Sequence, residues 1–379
     1  MSIMKITKKQ IFNDTNKVFC VTEIEPLLTK SSVVFSNTHL SYYEFLSASR
    51  QSVKPYIWLG NVGMDNLDRA TRRVPPANLY AFKNVYLAGL GCIVDQDNRL
   101  FVSPFMHMDK HFLQSGGNST LIDLDGDEVR FNKKLNIIDL GDAACVPLSQ
   151  PGQGIYGHWL VDILPRVMFA KSLNIKLKYI FAQNIPSYAK VFLELLGINE
   201  EDIFVYNPNK EVVLMQNCYF PSHLRLGSAF SPLAAKFNQS LAPYQSPCKN
   251  TKLFISRGNY NNKQTIANSS ELLDLVKCYD FEILEPHNYS IKEQIKLFSE
   301  AGLIVGEYGS AMHNTLFAHP EAKVVVLQSE ATAPFVQAGI GALLNQPTGF
   351  VFGKPVRDQC NRGRSFSASL EDVRQVLES

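Results

Sequence analysis

The chain has 379 residues, 45% hydrophobic and 19% charged, with a formal net charge of +2. That length supports two domains with full cores, and the near-neutral balance gives no mark of a nucleic-acid partner. The seven cysteines are scattered with no C-x-x-C pair, which argues against a zinc knuckle or a dithiol motif and suits a reducing compartment. The start of the chain, "MSIMKITKKQIFNDTNK", is polar where a signal peptide needs an apolar centre. No run reaches the ~20 apolar residues of a membrane span. The expected location is the cytoplasm, with peripheral contact at the inner face of the membrane left open.

Residues 1–75 carry no clear pattern. From Asn84 the sequence reads as β-rich: two apolar runs flank the turn Asp95-Gln96-Asp97-Asn98, "DLDGDEVRF" reads as a turn into a strand, and "LNIIDLGDAACVPL" continues the theme. The pattern then changes to α/β alternation. "GHWLVDILPRVMFAKSL" predicts a helix that Pro165 kinks or restarts. The strand "KYIFAQ" follows, then a helix "SYAKVFLELLGI" ended by Gly197, then strands "DIFVYN" and "EVVLMQNCYF". Residues 221–251 hold four prolines and no long apolar run, marking an interdomain connection with one helix near Ala234–Leu241.

Beyond it lie "KLFIS", a helix opened by a capping box of Asn268 and Glu271, "FEILE", and a helix opened by a second capping box of Ser290 and Glu293. "LIVG", the short helix "AMHNTLFAH" and "KVVVLQ" follow, then the helices "APFVQAGIGALLN" and "SLEDVRQVLE". Strands alternating with helices predict an open parallel sheet. The expected fold is therefore α/β. An N-terminal domain covers 1–230 (β-rich over about 75–150, α/β over about 151–220), a Rossmann-like domain covers 231–350, and a tail with one helix covers 351–379.

Ligands of such sheets bind at the carboxyl ends of strands. "GEYGSAMHNTLF" lies at such an end. Gly306 and Gly309 suit a tight turn and close approach to a ligand. The amides opening the helix, including that of Ser310, attract anions, and His313 and Asn314 can add donors. Glu307, repelled by phosphate, is expected to accept hydrogen bonds from hydroxyls. In "LFISRGNYNNKQ", Arg257 follows a strand directly and suits bidentate phosphate contact, with Lys263 in the polar loop after it. A Gly-rich turn with a helix cap and a surface arginine would look the same. In "GHWLVDILPR", His158 and Asp162 are four apart and share a helix face, with Arg166 eight on from His158. This trio suits acid–base work on a hydroxyl; a buried His–Asp pair with a structural arginine is the plainer account. Spacing does not say which of His158 and Asp162 is the base.

"YGHWLVDILPR", "LFISRGN" followed by "NSSEL", and "GEYGSAMHNTLF" with Pro320 together resemble the ordered blocks of family 61 glycosyltransferases, across about residues 80–330. His158, Trp159, Asp162, Pro165 and Arg166 match the first block, Arg257 the second, and Gly306, Gly309, Asn314 and Phe317 the third. Tyr308 stands where many members have histidine, and His313-Asn314 where many have Thr-Asn. The resemblance implies a GT-B fold, two Rossmann-like domains facing across a cleft, and inverting, metal-independent transfer from a nucleotide sugar. The bacterial type, serving capsular or surface polysaccharide synthesis, is the nearer comparison.

The expected donor site is Arg257, Lys263, Glu307, Tyr308, Gly309, Ser310, His313 and Asn314. His158 and Asp162 are the expected catalytic pair, and Trp159 and Arg166 support the site or the acceptor. The expected partners are a nucleotide sugar and an oligo- or polysaccharide acceptor, free or lipid-linked; no cofactor or metal is expected. A metal-dependent transferase using Asp123 and Asp125 is the alternative, although "DLDGDE" suits a plain hairpin. A dehydrogenase lacks its glycine loop, since Gly89 and Gly91 alone do not make one. A non-catalytic nucleotide- or sugar-binding module would leave His158, Asp162 and Arg166 idle.

Overall fold

The computed structural model describes residues 5–7, 31–35, 38–46, 49–51, 53–71, 73–94, 96, 122–125, 128–131, 135–242, 251–258, 266–332, 334–356 and 365–378. The chain clusters into two compact units. The first comprises Met1–Ser49 and Pro75–Leu226, and the second Arg50–Val74 and Gly227–Ser379. Among the described residues no helix is long and apolar enough to cross a membrane.

The first unit is built on a mixed nine-stranded sheet. Its strands are β1 (Ser31–Phe35), β2 (Thr38–Leu46), β3 (Ala77–Ala88), β4 (Cys92–Val94), β5 (Asn136–Asp139), β6 (Ala144–Pro147), β7 (Lys178–Ala182), β8 (Ile203–Tyr206) and β9 (Glu211–Pro221). The order is β8-β7-β6-β9-β3-β2-β1, with β5 beside β9 and β4 beside β3. The four strands from β8 to β9 run parallel, and β3 pairs antiparallel with β9. This is the β-rich to α/β transition read from the sequence, contained in one sheet. The turn expected at Asp95–Asn98 falls on residues of which only Gln96 is described; before it, β3 turns into β4 through Gly89-Leu90-Gly91. Both glycines there have positive φ, 53° and 91°, which they adopt without the Cβ penalty; residues 97–121 lie outside the described residues. The "DLDGDE" stretch does form antiparallel strands, with Asp123 opposite Arg130 and Asp125 opposite Glu128.

Helix α1 spans residues 156–171. Its middle, Trp159–Ile163, winds as a π-helix in which the Leu164 N–H donates to the Trp159 carbonyl. Pro165 stands just after this widened turn. It has no N–H for the carbonyl four residues back, so the break expected at proline is taken up as a wider turn. Helix α2 (Ser187–Leu195) ends at Gly197, with φ of 68° and its N–H on the Glu194 carbonyl.

The second unit carries a seven-stranded sheet. In chain order its elements are β10 (Thr251–Ile255), α3 (Ser269–Lys277), β11 (Glu282–Leu284), α4 (Ile291–Glu300), β12 (Ala301–Glu307), β13 (Lys323–Ser329), α5 (Val336–Leu344), β14 (Thr348–Pro355) and α6 (Leu370–Leu377). The parallel order β11-β10-β12-β13-β14 matches the predicted open sheet, and the sequence reading missed β14. It also missed the short strand Trp58–Leu59, which pairs with β14. The side chains of Trp58, Phe335, Phe350 and Phe352 cluster there, with ring centroids 4.8–6.3 Å apart.

The Ser290–Glu293 capping box forms in full. Asn268 also precedes its helix, but its side chain is engaged elsewhere: it pairs with the Ala368 backbone through two hydrogen bonds of 2.9 Å, tying α3 to the start of α6. The segment read as the short helix "AMHNTLFAH" lies mostly in a 3-10 helix, Ser310–Phe317.

Gly306 works as a packing residue in this sheet. A Cβ there would stand 2.6 Å from the Ile255 Cβ and 2.6 Å from the Met312 sulfur. Gly306→Ala should therefore cost about 1–3 kcal/mol of stability with no ligand present. Equal denaturant midpoints for variant and wild type would show that the strand has room to spare.

Candidate functional site

Strands β6 and β9 are parallel neighbours, with Cys145 opposite Cys218. The chain therefore leaves both strands at the same edge of the sheet. After β6 come the loop 148–155 and the start of α1; after β9 comes 222–226. Arg166 joins the two exits. Its guanidinium donates to the carbonyls of Pro147 and Pro221, which end the two strands, and to the Gln150 side chain, at 3.0–3.1 Å. It is 1% exposed and lies over the Phe220 ring at 5.0 Å. Burial lowers its pKa to about 10, partly opposed by Asp162.

At the same edge His158 and Asp162 meet Arg225. His158 Nδ1 is 2.6 Å from one Asp162 oxygen. Arg225 clasps the carboxylate with both arms, Nε to Oδ1 at 2.7 Å and Nη2 to Oδ2 at 2.9 Å. Burial would raise this carboxyl, but the Arg225 charge and the His158 and Arg225 hydrogen bonds outweigh it and hold the group far below the usual carboxylate range. Asp162 is 6% exposed, whereas the His158 side chain is 38% exposed. The imidazole thus faces outward from a locked anion. Gly152 backs the ring: its φ is 85°, and a Cβ would stand 2.6 Å from His158 Cδ2. The turn that carries Gly152 is fixed by Trp159, whose indole N–H donates to the Gln153 carbonyl at 2.6 Å, and by the Gln153 amide, which pairs with the Ala182 backbone. Trp159 is fully buried and stacks on Phe181, so it supports the site from within the core. Half-buried His223 lies on the same exit; burial, Arg166 and Arg225 lower its pKa to about 3 against Asp162, leaving it neutral.

The second unit has its own strand edge. Ile255 lies opposite Gly306, so Arg257, two residues past Ile255, and Glu307, next after Gly306, emerge side by side. Arg257 Nη1 is 3.8 Å from Glu307 Oε1. Gly309 lies against the guanidinium, and a Cβ there would be 3.6 Å away from it. In the 3-10 helix the first internal bond is Met312 N–H to the Gly309 carbonyl, which leaves the Ser310 and Ala311 amides ahead of the ladder. Glu307 is 7% exposed, and burial raises its carboxyl to about 7 despite the opposing Arg257 charge.

Residues 156–325 match the family model described as Glycosyltransferase 61. The protein is a glycosyltransferase. The matched stretch runs from the first residue of α1 into β13 and takes in His158, Asp162, Arg225, Arg257 and Glu307. No curated protein matches the chain.

The glycosyltransferase 61 match thus covers two groupings. His158 and Asp162 come together as their spacing suggested, and Arg257, Glu307, Gly309 and Ser310 share one edge. Two of the other predicted donor residues have groups already engaged within the fold. The Tyr308 amide is committed to the Leu327 carbonyl at 2.9 Å. Asn314 is fully buried, its amide donating to Gln294 at 2.9 Å, and so braces α4. His313 is 8% exposed in the same helix, and Lys263 lies outside the described residues. Sequence reading missed Arg225 and Gly152. "HLRLG" carries no motif, and the partnership of Arg225 with Asp162 spans 63 residues.

Gly152→Ala should push the imidazole off Asp162. A crystal structure of the variant is expected to show the Nδ1–Oδ2 separation beyond hydrogen-bond reach; an unmoved ring would show that the glycine does not seat the imidazole.

The two carboxylates should also respond to pH in opposite ways. Asp162 titrates lower in the folded state, so its stabilisation is full above the unfolded pKa of about 3.9 and fades as pH falls below it. Asp162→Asn should cost roughly 3 kcal/mol at pH 7, with the deficit shrinking in acid. Glu307 titrates higher in the folded state, so its penalty grows from about pH 4.3 to pH 7. Glu307→Gln should stabilise the protein at pH 8, by at most about 3.5 kcal/mol, and not at pH 4. Parallel pH–stability profiles for the two variants would overturn this contrast.

Proposed function

We propose that the enzyme transfers a sugar from a nucleotide-sugar donor to a hydroxyl of a glycan acceptor, by single displacement with inversion and without a metal. The observation that carries this reading is the outward-facing His158 bonded through Nδ1 to a carboxylate held ionised by Arg225. Such an imidazole can take the acceptor proton at Nε2 while Asp162 steadies the charge that forms. Asp162 itself is a poor base, because two donors already stabilise its anion. His158 is therefore assigned as the base, and Asp162 and Arg225 as its positioning residues.

Arg257 and the amides of Ser310 and Ala311 would receive the donor diphosphate and stabilise the leaving group as its charge grows. Glu307 would contact the donor beside its diphosphate. Arg166 and Trp159 would hold the acid–base edge in shape. A single displacement needs only a base and stabilisation of the leaving group, whereas a double displacement would need a nucleophile as well. The bacterial cytoplasm, at the inner face of the membrane, and surface polysaccharide synthesis are the setting we infer from the sequence blocks and composition. Within that setting the acceptor is an oligo- or polysaccharide, free or lipid-linked.

A panel of nucleotide sugars, screened first for thermal stabilisation and then for release of nucleoside diphosphate with glycan acceptors, identifies the substrates. With that pair, His158→Ala should lower turnover about 10²–10⁴-fold while donor binding holds. The product anomer should be inverted, and excess chelator should leave the rate unchanged. Retained configuration, chelator-sensitive activity, or near-normal turnover in His158→Ala would each overturn the corresponding part of the proposal.

A further inference from the structure

Glu307 sits where a ligand carboxylate or phosphate would be least welcome as a neighbour. Its side chain is only 8% exposed at the end of β12, and among the described residues Oε1 has no hydrogen-bond partner. Among the described residues, the cation beside it is Arg257, whose Nη1 stands 3.8 Å away, beyond hydrogen-bond distance. Arg257 itself is 32% exposed, and Gly309 contributes no side chain against its guanidinium. The guanidinium can therefore turn outward to an incoming anion, while the carboxyl cannot follow it.

Other elements at this edge offer little charge to replace it. The 3-10 helix contributes His313, β13 ends in Gln328 and Ser329, and the end of β11 contributes Glu285, a further acid packed against Gly258. Among the described residues Arg257 is the charge that opposes burial at Glu307.

We propose that Glu307 meets its ligand as a neutral acid. The diphosphate draws the Arg257 guanidinium to itself, Glu307 takes up one proton from solvent, and its new O–H donates to an oxygen of the ligand. Binding of a diphosphate at this edge is thereby coupled to proton uptake. The same residue that would repel phosphate as an anion becomes a hydrogen-bond donor towards it. Burial without a cation favours that protonated form, and burial already raises the unliganded carboxyl to about 7. This inference rests on the donor-site reading of Arg257 and the Ser310 and Ala311 amides.

Inorganic pyrophosphate is the probe, because the nucleoside is unidentified. Its binding to the full chain is measured by calorimetry at pH 7.5 in two buffers of different ionisation enthalpy, for wild type and for Glu307→Gln. Glu307→Gln calibrates the protons that pyrophosphate itself exchanges. Wild type is expected to take up about three-quarters of a proton more than Glu307→Gln, since a carboxyl raised to about 7 is already partly protonated at pH 7.5. Raising the pH from 7 to 8.5 should weaken wild-type binding roughly tenfold more than binding to the variant.

Equal proton uptake by the two proteins would overturn the coupling and leave the donor site standing. Binding undiminished in Arg257→Met would place the anion elsewhere. Absence of pyrophosphate binding by wild type would overturn the donor-site reading, and this inference with it.

Discussion

Ion pairing at Asp162 is the constraint on which the first unit's chemistry depends. A carboxylate removed from water costs several kcal/mol unless its lone pairs are met. Here three N–H groups meet it, two from Arg225 and one from His158. The requirement runs outward from there. Arg225 has to arrive at the end of β9 and His158 at the start of α1, so β6 and β9 must be parallel neighbours. Arg166 secures that by bonding the last carbonyl of each. The widened turn around Asp162 and the glycine behind the imidazole complete the fit.

The two units treat their acids in opposite ways, and the difference is one of partners more than of burial. Asp162 and Glu307 are 6% and 7% exposed. The first has a bidentate arginine and an imidazole and stays ionised. The second has an arginine at 3.8 Å and an unpartnered oxygen, and its proton affinity rises. A fully served carboxylate is suited to a fixed electrostatic role. A poorly served one is suited to change its state when a ligand arrives. Roles in a site are thus assigned by hydrogen-bond accounting, which residue type alone does not reveal.

Legibility in the sequence tracks the range of the interaction involved. The Ser290–Glu293 box, the Gly197 stop and the strand–helix alternation of the second unit were readable because each is set within a few residues. The His158–Asp162 contact was readable for the same reason, being one helical turn. Asn268 shows the limit: it has the right residue in the right place for a cap, yet the Ala368 backbone, 100 residues on, outcompetes the local bond. Asn314 is a similar case: its side-chain amide, read as a donor for an anion, donates across the fold to Gln294. Arg225, Gly152 and the strand Trp58–Leu59 take their meaning wholly from pairing across the fold. No local pattern marks them.

Gly306 and Gly309 carry the same lesson within one motif. Both were read as glycines that let the backbone approach a ligand. Gly306 instead serves the interior, where β12 passes within a methyl group's width of Ile255 and Met312. Gly309, three residues on, has the Arg257 guanidinium as its nearest neighbour, at ordinary contact distance. One glycine is thus demanded by packing. The other keeps clear the space through which Arg257 would swing. A single G-x-x-G spacing holds a structural requirement and a candidate functional one, and only the surroundings of each missing Cβ tell them apart.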